Sequence, residues 1–396
     1  MNTAKKRRKR TVPIALTLSL VLFMSGCDGS LYSNYIQVEE LQLVQTFGID
    51  CTDSGVDVSI STGEGMEDQA SVRISRPGKS IITAIQSIQD YSSKNELRFS
   101  HSRFAVIGEE GAKKKLPEFL DFLERSSEPR MDMSMFVVKE GTAKNLITQS
   151  GEKGNDVTES LSSIERDVMH SGESYPFTCR EIARSLSEFG GALICAVSGN
   201  QTDGSIFSDS GTVTATPAGF GIISDGYLCG YLDQNEARAA CMLLNKSGIG
   251  AIMFPDGNGG LATVFMNTAK TKYKGVWDES GELRQLRVDT ILSVVLAELE
   301  APINIIDEKV QKQLATELSN QIKKDCISVF EKSKSLDSDF LGLYGILRRS
   351  EPGKMYDIKD SFMDTLKNVE LVVNVSTEIS GSYDVERQVS VNGKGA

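Results

Sequence analysis

Phe104-Ala105-Val106-Ile107-Gly108 is the stretch that decides the architecture. Four apolar residues without polar alternation, closed by glycine, predict a strand covered on both faces, and such a strand needs helices packed against it. Both flanks supply them. Upstream, Ser80 opens a helix in which Ile81, Ile82, Ile85 and Ile88 form an apolar stripe at helical spacing. Downstream, Pro117 stands where a first helical turn tolerates a missing N–H, and Phe119, Leu120 and Leu123 share one side. Further out, residues 39–50 pass from charged to apolar and residues 56–60 alternate with period two, with Thr52-Asp53-Ser54-Gly55 as the turn of an antiparallel pair. Residues 131–138 return as a strand. The order strand, strand, helix, strand, helix, strand is that of an α/β unit.

The chain continues in the same style. Leu161, Ile164 and Val168 mark a helix, and Thr178-Cys179-Arg180-Glu181 is a capping box that starts the next. Residues 192–197 form a strand. The run 198–212, rich in Gly, Ser and Asp, is read as a domain boundary. A hairpin follows, with Phe220-Gly221-Ile222-Ile223 and residues 227–232 joined by Ser224-Asp225-Gly226, and Asp233 with Glu236 repeats the capping-box spacing. Three extended stretches are expected, at 262–267, 271–277 and 284–299. Asp307 opens a long helix in which Val310, Leu314, Leu318, Ile322, Cys326 and Phe330 recur every four residues, and residues 369–379 close the second half as a strand. The expectation is a mixed α+β chain of the α/β type, multi-domain, with helices packed on sheets. Its parts are an N-terminal α/β domain at 38–205 with a secondary break near 150–156, a C-terminal α/β domain at 213–385 and a tail at 386–396.

The first residues are of another kind. Lys5-Lys6-Arg7-Arg8-Lys9-Arg10 is followed by an apolar run from Val12 to Met24 and then by Ser25-Gly26-Cys27. A basic cluster, a short apolar run and small residues before a Cys form an export signal, and the run is shorter than the roughly 20 residues a spanning helix needs. The Cys directly after Ser25-Gly26 resembles the lipobox of bacterial lipoproteins. That resemblance implies a leader at 1–26, lipid on Cys27 and a polar tether at 27–37. Losing the six leader bases and no acid takes the formal net charge from −11 to −17, a surface that repels phosphate backbones, so no nucleic-acid partner is expected. The other cysteines, Cys51, Cys179, Cys195, Cys229, Cys241 and Cys326, include no CxxC and are read as buried thiols.

No catalytic constellation stands out. The two histidines, His101 and His170, are far apart in sequence, no G-x-S-x-G elbow or P-loop is present, and Asp256-Gly257-Asn258-Gly259-Gly260 is a turn that lacks the later ligands of a calcium loop. No catalytic residue, metal or cofactor is assigned, and an enzyme is not expected.

Several segments in series resemble the Ger(x)C family, the lipoprotein C subunits of nutrient germinant receptors. The resemblance rests on Val38-Glu39-Glu40-Leu41 with Phe47-Gly48-Ile49-Asp50, residues 83–88, residues 101–110 from His101-Ser102-Arg103 to Glu109-Glu110, and residues 120–125 with Arg130 beyond. In the second half it rests on residues 226–232, Glu236-Ala237-Arg238 and Ser338-Asp339-Phe340-Leu341-Gly342. The chain departs from the family in having Asp28 where a Trp often stands, Ser126-Ser127 in place of Asp-Pro, and Tyr231 where Trp is common. The resemblance implies spore germination and a place on the outer face of the inner spore membrane beside the receptor's A and B membrane subunits. The role implied is assembly or signal transmission, with no small-molecule substrate assigned. Its candidate partner-binding residues are His101, Arg125, Arg130 and Asp339. The rival reading is an extracytoplasmic solute-binding lipoprotein of a transporter, and an envelope hydrolase using His101 or His170 is a third.

Overall fold

The computed structural model describes residues 41–62, 71–91, 96–151, 156–201, 212–300 and 308–382. The leader, Cys27, the tether and the tail lie outside the described residues. The chain forms a mixed α+β fold on two sheets. The first takes strands β1 (Leu41–Thr52), β2 (Gly55–Thr62), β3 (Arg73–Gly78), β4 (Glu96–Arg98), β5 (Phe104–Gly108), β6 (Ser134–Val138), β7 (Gly191–Gln201), β8 (Val213–Ser224) and β9 (Tyr227–Leu232). Their order is β3-β2-β1-β5-β6-β7-β8-β9, with β4 beside the start of β1. β1, β5, β6 and β7 run parallel, while the outer pairs are antiparallel.

The unbroken apolar run of β5 has a direct explanation. Phe104 and Val106 enter one core while Ala105 and Ile107 enter another on the opposite face. Helices α1 (Ile81–Tyr91), α2 (Glu109–Lys114) and α3 (Leu116–Arg125) contribute Ala84, Ile88, Ala112, Leu116, Phe119, Leu120 and Leu123 to the second of these cores. In α1 the buried line is centred on Ala84 and Ile88, and Ile82, expected in the stripe, is 58% exposed. Helices α4 (Ala143–Thr148) and α5 (Val157–Ser171) cover the other face through Leu146, Ile147, Leu161 and Ile164. Both expected capping boxes form, at Thr178/Glu181 before α6 (Cys179–Phe189) and at Asp233/Glu236 before α7 (Gln234–Leu243).

The second sheet has the order β10 (Ala251–Pro255), β11 (Leu261–Trp277), β12 (Leu283–Leu299) and β13 (Glu370–Ser382). The long helix α8 (Glu308–Ser335) lies along β13 and buries Leu314, Leu318, Ile322, Cys326 and Phe330 as the four-residue spacing requires. At about 1.5 Å per residue it is roughly 40 Å long. The core on its inner side is continuous with that of the first sheet, so Phe104, Phe220, Val288 and Phe330 belong to one apolar cluster.

The sequence reading and the structure differ in two places. The stretches at 262–267 and 271–277 are one strand, β11, whose register slips between Met266 and Thr268. The helices α9 (Leu343–Ser350), α10 (Pro352–Asp357) and α11 (Phe362–Asn368) were not foreseen. The Gly- and Ser-rich run at 198–212 is flanked by paired strands: Gln201 is opposite Val213 and Gly191 opposite Ser224, so the first sheet draws on both sides of the expected boundary. Of the cysteines, Cys179, Cys195, Cys241 and Cys326 are buried, Cys51 is half-buried and Cys229 exposed, and all six are free thiols.

Candidate functional site

His101 and Arg130 lie in turns at one end of the parallel strands, where β5 and β6 begin, and Arg125 ends α3 shortly before the second of these turns. Three segments meet there. Glu128 accepts from Arg98 Nη1 at 2.9 Å and from the Phe99 N–H at 3.3 Å, which ties the turn carrying His101 to the turn carrying Arg130. Ser102 donates to the Val44 carbonyl at 3.0 Å, and the N–H groups of Cys179 and Arg180 donate to Met133 and Met131, adding the start of α6. His101 itself is exposed. Arg130 grips Asp132 with two nitrogens, at 2.9 and 2.6 Å, and Arg125 bonds Asp121 one turn back along α3 at 2.7 Å.

These are surface ion pairs with their charges matched. The guanidiniums of Arg125 and Arg130 are raised by the hydrogen bonds to their aspartates, and Asp132 is lowered by Arg130. Arg125 also stands at the rim of a groove of about 500 Å³ between α1 and α3, floored by Ile81, Ile82, Phe119 and Phe122. A surface of this kind is suited to polar recognition of another chain. It holds no coupled acid and base.

Asp339 lies elsewhere and is enclosed, 1% exposed. Its two oxygens accept from the N–H groups of Leu343 at 2.7 Å and Tyr344 at 2.9 Å, the first residues of α9. Burial pushes its carboxyl up to about 7, against the pull of the backbone donors. A carboxylate enclosed in this way offers nothing to a partner, so the expectation of a contact residue gives way to a helix cap.

At the other end of the parallel strands, sequence reasoning missed a second group. Asp50, at the end of β1, accepts from the N–H groups of Ala143 at 2.8 Å and Lys144 at 2.7 Å and so caps α4. Glu109, at the end of β5, receives Lys113 at 2.6 Å, the hydroxyl of Tyr231 at 3.1 Å and the Glu140 N–H. Burial would raise the Glu109 carboxyl, but these donors outweigh it and hold it below its ordinary value. The Tyr231 phenol is pushed up by burial and by Glu109 beside it. An acid closing an apolar strand run, Asp50 after Ile49 and Glu109 after Ile107-Gly108, was the available clue. Each of these carboxylates is committed to holding the fold. Among the described residues no group of three or more His, Cys, Asp or Glu side chains is placed to hold a metal ion. None of the described helices is long and apolar enough to cross a membrane.

Two family models match in chain order, the spore germination protein N-terminal domain over residues 34–198 and the spore germination B3/GerAC-like C-terminal domain over residues 218–383. A solved structure, that of the GerBC protein, superposes with a TM-score of 0.58 over 84% of this chain and 96% of that one, at 17% identity, and so shares the fold. No curated protein matches the sequence.

Proposed function

The chain belongs to the spore germination GerAC family, and from that membership we propose that it is a lipid-anchored C subunit of a nutrient germinant receptor, acting by assembly or signal transmission. The observation that carries this reading is the colinear match of both domain models, which together cover most of the chain. Anchoring falls to Cys27, where the export signal ends in a lipobox-like Ser-Gly-Cys. A diacylated Cys carries two chains, the number that holds a protein stably on a bilayer. In this reading the body stands on the outer face of the inner spore membrane and meets the A and B membrane subunits.

The geometry supports a recognition role over a catalytic one. The carboxylates at the strand ends, Asp50 and Glu109, are occupied by backbone and side-chain donors, and the turns bearing His101, Arg125 and Arg130 form a braced polar surface. We assign partner contact to those three residues. The test is a pull-down of tagged protein from detergent-solubilised spore membranes. Polytopic receptor subunits should co-purify with the wild type and be lost with a triple His101→Ala, Arg125→Glu, Arg130→Glu variant that retains its melting temperature. Permease components in their place, with germination unchanged by deletion, would overturn the reading in favour of a transporter's solute-binding protein.

A further inference from the structure

Many exposed cations of this acidic chain find an acid, as Arg103, Lys113, Arg125 and Arg130 do. A cluster on the second sheet does not. Along β11, Lys270, Lys272 and Lys274 alternate outward and are exposed, and Arg287 on β12 is exposed on the same face. Arg349, exposed on the last turn of α9, lines with Lys272 a cleft of about 620 Å³. None of these five forms an ion pair among the described residues.

The acids nearby bond neutral amides and no cation among the described residues. Asp289, opposite Lys272, accepts from Asn374 Nδ2 at 2.7 Å, and Glu370 accepts from Gln285 Nε2 at 2.9 Å. Glu378 stands on β13, two strands away from β11. Lys274 and Arg287 are direct cross-strand partners, an arrangement of like charges that lowers the stability of a sheet. Edge protection accounts for part of this, since β10 pairs only with residues 261–265 of β11 and lysines discourage strand addition along an open edge. It does not account for Arg287, which lies on an inner strand, or for Arg349, which lies on a helix.

The cleft itself has an apolar floor of Phe189, Leu243, Leu341 and Ile346. One wall is fixed by Asn245, whose side-chain amide pairs with the backbone of Thr271 at 2.8 and 3.1 Å as a neighbouring strand would. An apolar floor with Lys272 and Arg349 in its lining, and the lysine row continuing along β11, fits acidic groups carried on an apolar body. From Lys270 to Lys274 the row spans roughly 14 Å of strand, longer than a single small anion. We propose that the cleft and lysine row form a docking site for an extended acidic segment of a partner protein, with an apolar side chain in the cleft and carboxylates on Lys270, Lys272, Lys274, Arg287 and Arg349. This surface is separate from the one that carries His101, Arg125 and Arg130, and its test does not depend on the receptor assignment.

The test is fluorescence anisotropy of a labelled twelve-residue peptide alternating Glu and Leu, titrated with the full chain in neutral detergent. Binding should weaken with added salt and fall at least tenfold in the Lys272→Glu, Arg349→Glu double variant. Lys323→Glu with Lys324→Glu, which removes the same charge from exposed positions on α8, should leave it unchanged. Lys274→Glu should weaken binding and raise the melting temperature, because it turns a like-charge pair into an attractive one. The proposal fails if the peptide does not bind or if the α8 variant loses as much affinity. It also fails if inorganic phosphate displaces the peptide at equal concentration, which marks a small-anion site, or if anionic phosphatidylglycerol vesicles capture the chain through Lys272 and Arg349 while the peptide does not.

Discussion

Asp50 and Asp339 perform the same task in the two halves of the molecule, and the contrast between them shows what surrounds a buried charge matters as much as what it bonds. Each gives both carboxylate oxygens to the first N–H groups of a short helix, α4 for Asp50 and α9 for Asp339. Such donors are left unpaired by the helix itself, so an acid there satisfies them and also meets the positive end of the helix dipole. Both carboxyls are raised by burial. Around Asp50 the two backbone donors oppose that rise, the Asp57 carboxylate adds to it, and the Lys144 ammonium, which holds Asp57 at 3.0 Å, lowers it by less. Asp339 has only backbone donors to offset its desolvation, and it rises to about 7.

The largest effects should come from deleting the caps. Asp339→Ala leaves two buried N–H groups without an acceptor and Asp50→Ala one buried and one half-buried, and each should lower unfolding free energy by about 3 kcal/mol, read by chemical denaturation. A smaller loss in either would mean that water or another side chain takes over the donors. Gly108→Ala attacks the Asp50 cap from outside, since a Cβ there would collide with Asp50 Oδ1. It should destabilise the chain by about 2 kcal/mol, and less in an Asp50→Ala background, where the obstruction is gone.

The titration of the two caps sharpens the comparison. A carboxyl at about 7 in the folded chain against an ordinary value of 3.8 binds its proton more tightly when folded. Its contribution is therefore fully present at low pH and declines as pH rises from about 4 to about 7, then levels off. Melting temperature should fall across that window, and Asp339→Asn should flatten the fall more than Asp50→Asn. An equal effect of the two amides would show that the fuller burial of Asp339 does not distinguish the sites. The smallest effects belong to the surface: Arg130→Ala and Arg125→Ala, on exposed ion pairs, should leave the denaturation midpoint close to that of the wild type.

How much of this was legible in the sequence follows from how local each signal is. Phe104 to Gly108, the capping boxes at Thr178 and Asp233, and the α8 stripe state their structure within a few residues, and each formed as read. β11 was read as two pieces because Asn267 and Thr268 interrupt the apolar pattern at the place where the register slips. The run at 198–212 has the composition of a linker, and the same residue types serve a connection between paired strands. The site was less legible than the fold. Asp339 is a charged residue between Ser338 and Phe340, and only the tertiary structure encloses it. The row Lys270, Lys272, Lys274 is plain in the sequence, but its lack of acid partners depends on which strands lie beside it.

The central claim is that this chain works by joining a membrane receptor, and one experiment bears on it most directly. Tagged chain is recovered from solubilised spore membranes with and without Cys27→Ala, and the co-purifying proteins are identified. The account predicts polytopic germinant-receptor subunits with the wild type, and slowed germination when Cys27 is replaced. Recovery of no receptor subunit, together with normal germination in the Cys27→Ala strain, would contradict it.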